Sequence, residues 1–141
     1  MHPWAARPAI WFHFVPYAMT TAYWMILVAG LLPYWPTVAS KLRRDYDNAA
    51  PRAGIDRLPP RQQRAYWAQL NAFEAFPLFA AAVIIAQLAG AEQSRVDALA
   101  VAFVVFRVLY TLAYLYDRPT LRSLLWTGGL FCVIGLFVTA A

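Results

Sequence analysis

At 141 residues the chain carries one domain's worth of sequence, and 62% of it is hydrophobic against only 13% charged, with a net charge of +5 and a mean hydropathy of +0.48. A soluble domain this short has too high a surface-to-volume ratio to bury that much apolar surface, so the surplus must face lipid. The single cysteine, Cys132, excludes an intramolecular disulfide and a thiolate metal cluster, and the few basic residues in a membrane setting argue against nucleic acid as a partner.

Residues 1–13, with Trp4, Trp11 and Phe12, read as an aromatic anchor along the membrane interface. No Asp, Glu, Lys or Arg occurs in residues 8–40. That run is too long for a signal-peptide core and lacks a clear small-residue cleavage site, so it reads as a retained helix over residues 14–39, kinked near Pro33 and Pro36. A polar loop over residues 40–63 follows, in which Asp56-Arg57-Leu58-Pro59-Pro60 marks a turn. Three further runs, over residues 65–91, 98–116 and 123–141 and interrupted only by Glu74 and Arg107, predict helices over residues 64–89, 98–116 and 120–140. A hydrocarbon core about 30 Å thick needs about 20 helical residues, and backbone groups in lipid must be satisfied within the segment. The sequence therefore predicts an all-α membrane four-helix bundle, with residues 1–141 forming one transmembrane domain. It carries no nucleotide-binding glycine motif.

Orientation follows from the basic residues. Lys41, Arg43, Arg44, Arg52, Arg57, Arg61 and Arg64 lie in the first loop, and Arg118 and Arg122 lie at the third. Only Arg7 and Arg95 fall on the other side. The excess predicts that the first and third loops face the cytoplasm and that both termini lie opposite.

Glu74 and Arg107 are the acid and the base well inside the apolar runs. An intramembrane charge is expensive, about 2.5–3.5 kcal/mol at a helix centre by insertion scales, so it normally has a partner. Glu74 lies ten residues beyond Arg64, and Arg107 lies ten residues before Asp117. At a rise of 1.5 Å per residue both sit about 15 Å deep. Matched depth predicts an intramembrane ion pair, within one chain or across a subunit boundary. Arg64, Asn71 and Glu74 share a face of the second helix, and Arg107, Tyr110, Tyr114 and Arg118 share a face of the third. Alanines at 68, 72, 75, 82 and 86 add a small-residue stripe that permits close helix approach. On physical grounds this polar seam either holds the bundle together or builds a ligand site.

The order of these residues resembles the MAPEG family, the membrane-associated proteins in eicosanoid and glutathione metabolism. Asn71, then Glu74 three later and Pro77 three after that, resembles the family's second-helix signature. Arg107-Val108-Leu109-Tyr110 followed by Tyr114 looks like its third-helix motif, and Arg122 falls near its arginine at the foot of the fourth helix. Lys41 and the stretch from Tyr46 to Arg52 resemble the first loop of bacterial members. Two positions depart from the pattern. Trp67 stands where glutathione-binding members usually carry arginine, and the interval from Tyr114 to Arg122 is one residue longer than in the leukotriene-forming members.

The resemblance implies a homotrimer in a bacterial inner membrane, with glutathione as cosubstrate, no metal, and a small apolar electrophile reached from the surrounding lipid. It implies glutathione binding by Arg64, Asn71, Glu74, Tyr110 and Tyr114, and stabilisation of the catalytic thiolate by Arg122. Guanidinium groups suit the carboxylates of glutathione, and a nearby cation lowers a thiol pKa. A non-catalytic scaffold of the same fold, binding lipid or serving as an accessory subunit, is the alternative. A small transporter with Glu74 and Arg107 lining a path is a third.

Overall fold

The structure, a computed structural model, describes residues 18–41, 49–50 and 55–141. The aromatic arm, the expected helix start at residues 14–17, and Arg43, Arg44, Tyr46, Asp47, Asn48 and Arg52 lie outside the described residues. The described elements are α1 (Thr21–Leu31), α2 (Tyr34–Lys41), a 3-10 turn (Ile55–Arg57), α3 (Pro60–Leu88), α4 (Gln93–Leu115) and α5 (Pro119–Ala140). Read together, α1 and α2 form one of four spans long and apolar enough to cross a bilayer.

The first span is broken where its prolines fall. Pro33 and Pro36 have no N–H to donate, so the ladder lapses after Leu32 and resumes at Tyr34. The Pro33 carbonyl accepts both the Thr37 N–H at 3.3 Å and Thr37 Oγ1 at 2.7 Å, which starts the second segment. The helix begins at Thr21, because Thr20 caps it: its Oγ1 accepts the Tyr23 N–H at 3.3 Å. The second span begins at Pro60, earlier than its apolar run suggests, because proline at the first helical turn is pre-organised and lacks a donor that would go unused. Pro77 lies within α3 without ending it.

Two tight turns reverse the chain. After α3, Gly90 adopts φ 72° and the Ala91 N–H reaches back to the Ala86 carbonyl at 3.0 Å. After α4, Asp117 adopts φ 57° and the Arg118 N–H reaches the Ala113 carbonyl at 2.9 Å. Both are Schellman closures, which need a left-handed residue just past the helix end. Glycine enters that region freely; aspartate enters it at a cost.

Helices α3 and α4 form the centre, and each packs against both α1 and α5. The small-residue stripe of α3 is used here, with Ala68, Ala72, Ala82 and Ala86 buried. α5 approaches α4 closely enough that a Cβ on Gly128 would stand 2.7 Å from the Phe106 ring. Buried apolar residues concentrate in the half of the bundle away from the Lys41–Pro60 connection. There Phe79 and Phe103 stack with ring centroids 3.9 Å apart.

The start of α1 is fastened by other helices. Asp97 on α4 accepts from the Ala22 N–H at 2.7 Å and from Gln93 Nε2 at 2.9 Å, while Gln87 on α3 donates to Thr20 at 2.8 Å. A carboxylate at a helix N-terminus satisfies an orphan donor and opposes the dipole. Asp97→Ala should therefore destabilise the fold by about 1–2 kcal/mol, and Asp97→Asn by less. Thermal melts of the detergent-solubilised protein that leave the alanine variant level with the parent would refute the cap.

Candidate functional site

The polar seam lies where α3 and α4 meet above the Phe79–Phe103 stack. Arg107, one turn above Phe103 on α4, is buried, with 4% of its surface exposed. Its Nη2 donates to Asn71 Oδ1 at 2.8 Å, and its guanidinium lies 4.4 Å from the centroid of the Tyr110 ring. Asn71 Nδ2 in turn donates to Glu74 Oε2 at 3.2 Å. The acid and the base thus sit level, as depth predicts, but they do not touch. Among the described residues no direct salt bridge joins Glu74 and Arg107. Within one chain the two charges are joined through Asn71. The reason is geometric: Asn71 and Glu74 are neighbours at i and i+3 on one face, and the amide stands nearer α4.

The other residues are distributed as follows. Asn71, Glu74, Tyr110 and Tyr114 line one open cleft of about 480 Å³, and Trp67 and Leu70 complete its wall. Tyr110 and Tyr114 meet edge to face at 5.6 Å, and Trp67 lies 6.4 Å from Tyr114 between ring centroids. Arg122 rises from the first turn of α5 and lies 4.4 Å from the Tyr114 ring centroid, so its cation rests beside the cleft. Arg64 is not among the lining residues. Its Nη1 sits 3.5 Å from Asp117 Oδ2 at the α4–α5 turn.

A second cleft of about 240 Å³ adjoins the first and shares Asn71 and Glu74 with it. Its remaining wall is largely apolar, from Leu78, Phe103, Trp126 and Leu130, with Arg107 at its border. Arg122, Trp126 and Gly129 recur at four and three residues on α5, so they share one face that runs from the first cleft to the second. Sequence reasoning did not single out Leu70 or Trp126, and it marked Trp67 only as standing where glutathione binders carry arginine. The signal was available for Trp67, which lies one turn before Asn71 on the face that carries Arg64.

Among the described residues no group of three or more His, Cys, Asp or Glu side chains could hold a metal ion. Cys132 is buried within α5 and lines neither cleft.

The model of the MAPEG family matches residues 21–141, nearly the whole chain. The chain belongs to the MAPEG family. It is accordingly an integral membrane protein, whose four long apolar helices are the spans of this MAPEG bundle. No curated protein matches it significantly.

The relay assigns unequal weights to its members. Removing the Asn71 amide strands a buried guanidinium, whereas Gln at position 74 keeps an acceptor at an exposed site. Asn71→Ala should cost about 1–3 kcal/mol and Glu74→Gln markedly less. Equal thermal melts for the two variants would reject the relay as the structural tie.

Proposed function

We propose that this MAPEG protein is a glutathione-dependent transferase or peroxidase acting on apolar electrophiles. The observation that carries the reading is the gathering of Asn71, Glu74, Tyr110 and Tyr114 from two helices into one cleft, with the Arg122 guanidinium beside it. Glutathione offers an ammonium for Glu74, amides for Asn71 and the tyrosine hydroxyls, and carboxylates for Arg64 and Arg122. Its thiol gives up a proton to water at the open mouth of the cleft, and the Arg122 cation stabilises the resulting thiolate. The thiolate then attacks the electrophile, forming a bond to sulfur as the leaving group departs. An apolar electrophile partitions into the bilayer and would reach the second cleft from there. That adjacency explains why such chemistry belongs in a membrane.

On this reading the protein works as a homotrimer in a bacterial inner membrane. The basic excess of the first and third loops supports a cytoplasmic position for the end that opens the first cleft. Trp67 supports a second reading. Its indole occupies the cleft wall where the family's glutathione binders present a guanidinium, which suits a scaffold of the same fold that binds lipid or a partner subunit.

Titration calorimetry of the solubilised protein with millimolar reduced glutathione separates the two. The enzyme reading expects heat of binding and a thiolate absorbance band that Arg122→Ala abolishes while the melting temperature holds. Silence in the calorimeter, or a thiolate band indifferent to Arg122→Ala, would count against it.

A further inference from the structure

Three contacts link α3 to α4 and the turn that follows it, beside the first cleft. The deepest is Arg107 to Asn71 at 2.8 Å, the next sets Trp67 against Tyr114 at 6.4 Å, and the outermost is Arg64 to Asp117 at 3.5 Å. The outermost is built unlike the others. Arg64 is largely buried, at 22% side-chain exposure, while Asp117 is 71% exposed. Arg64 Nε is buried and makes no hydrogen bond. A guanidinium carries five N–H donors, so one long contact leaves most of its capacity unused.

The aspartate is also placed at a cost. It holds φ 57° at the closure after α4, where the matching closure after α3 has Gly90 at φ 72°. Glycine would satisfy that backbone without strain, so the turn does not explain the carboxylate. Its contact with Arg64 does. Arg64 lies one turn before Trp67 and two before Asn71, on the face that forms the cleft wall.

We propose that Asp117 is a built-in competitor for an anionic ligand. It occupies the Arg64 guanidinium at the rim while the cleft is empty, and a carboxylate of the ligand displaces it when the cleft fills. The inference rests on the glutathione reading and adds to it a residue that sets affinity without touching the ligand. An exposed ion pair is weak, so releasing Arg64 from it tightens binding by no more than about fivefold.

The test is calorimetric titration of reduced glutathione into the solubilised full chain, as the parent and as Asp117→Asn, Asp117→Gly, Arg64→Gln and the Arg64→Gln/Asp117→Asn double variant. Asparagine tolerates the left-handed backbone and glycine prefers it, so the turn survives in both single variants at position 117. Both should bind about two- to fivefold more tightly than the parent, with the gap narrowing as salt is raised. Arg64→Gln should bind more weakly, and adding Asp117→Asn to it should change nothing. Parent binding with no tightening at position 117 overturns the competitor and leaves the glutathione reading in place. Tightening that persists without Arg64 overturns it too, because Asp117 would then act by diffuse repulsion. No binding by any variant removes both.

Discussion

The hydrogen bond from Arg107 to Asn71 constrains the rest of the bundle. A guanidinium about 15 Å from a helix end in lipid has no water to turn to, and leaving it unpaired would cost several kcal/mol. It is satisfied across a helix boundary, which fixes the level of α4 against α3. Next below that level the interior is apolar: the stacked Phe79 and Phe103 rings, then Val83, Val96 and Leu136 without exposed surface. Above it the same two helices diverge in chemistry, presenting tyrosines and a tryptophan along an open wall. One buried cation thus separates an apolar interior from the half that carries the candidate site.

Much of this architecture was legible in the residues. Runs nearly free of charge give the four spans, because hydrocarbon tolerates only predominantly apolar segments of sufficient length. Counting from the rim gives the depth of Glu74 and Arg107, because the helical rise is nearly constant. Azimuth was less legible. Whether an arginine meets the carboxylate or the amide one turn earlier depends on how two helices rotate against each other, and spacing along one helix does not contain that. The break between α1 and α2 was signalled by Pro33 and Pro36. The early start of α3 at Pro60 was signalled too, but hydropathy gave it no weight, since the first turn lies outside the apolar run.

The Arg64–Asp117 contact belongs to a different class of omission. Its partners are 53 positions apart and lie outside the apolar runs, where charges are expected and invite no search for a partner. The clue was local. Arg118 and Pro119 follow Asp117 directly, leaving too little chain between α4 and α5 for anything but a left-handed closure. A non-glycine residue there carries strain that asks for an explanation.

The relay also bears on what the two clefts present to a ligand. A direct pair would have spent the Glu74 charge on Arg107 and left the wall neutral. With Asn71 between them, the amide absorbs the guanidinium through its oxygen and turns its N–H₂ to the carboxylate, which remains exposed at the border of both clefts. The site therefore keeps an acceptor deep in its wall and a cation, Arg122, near its mouth, joined by the edge-to-face tyrosines. A zwitterionic ligand laid between those charges is oriented by the field before any side chain moves, and orientation of a nucleophile toward one neighbouring surface is a large part of what catalysis requires. Under the proposed reading, that surface is the apolar cleft beneath Trp126.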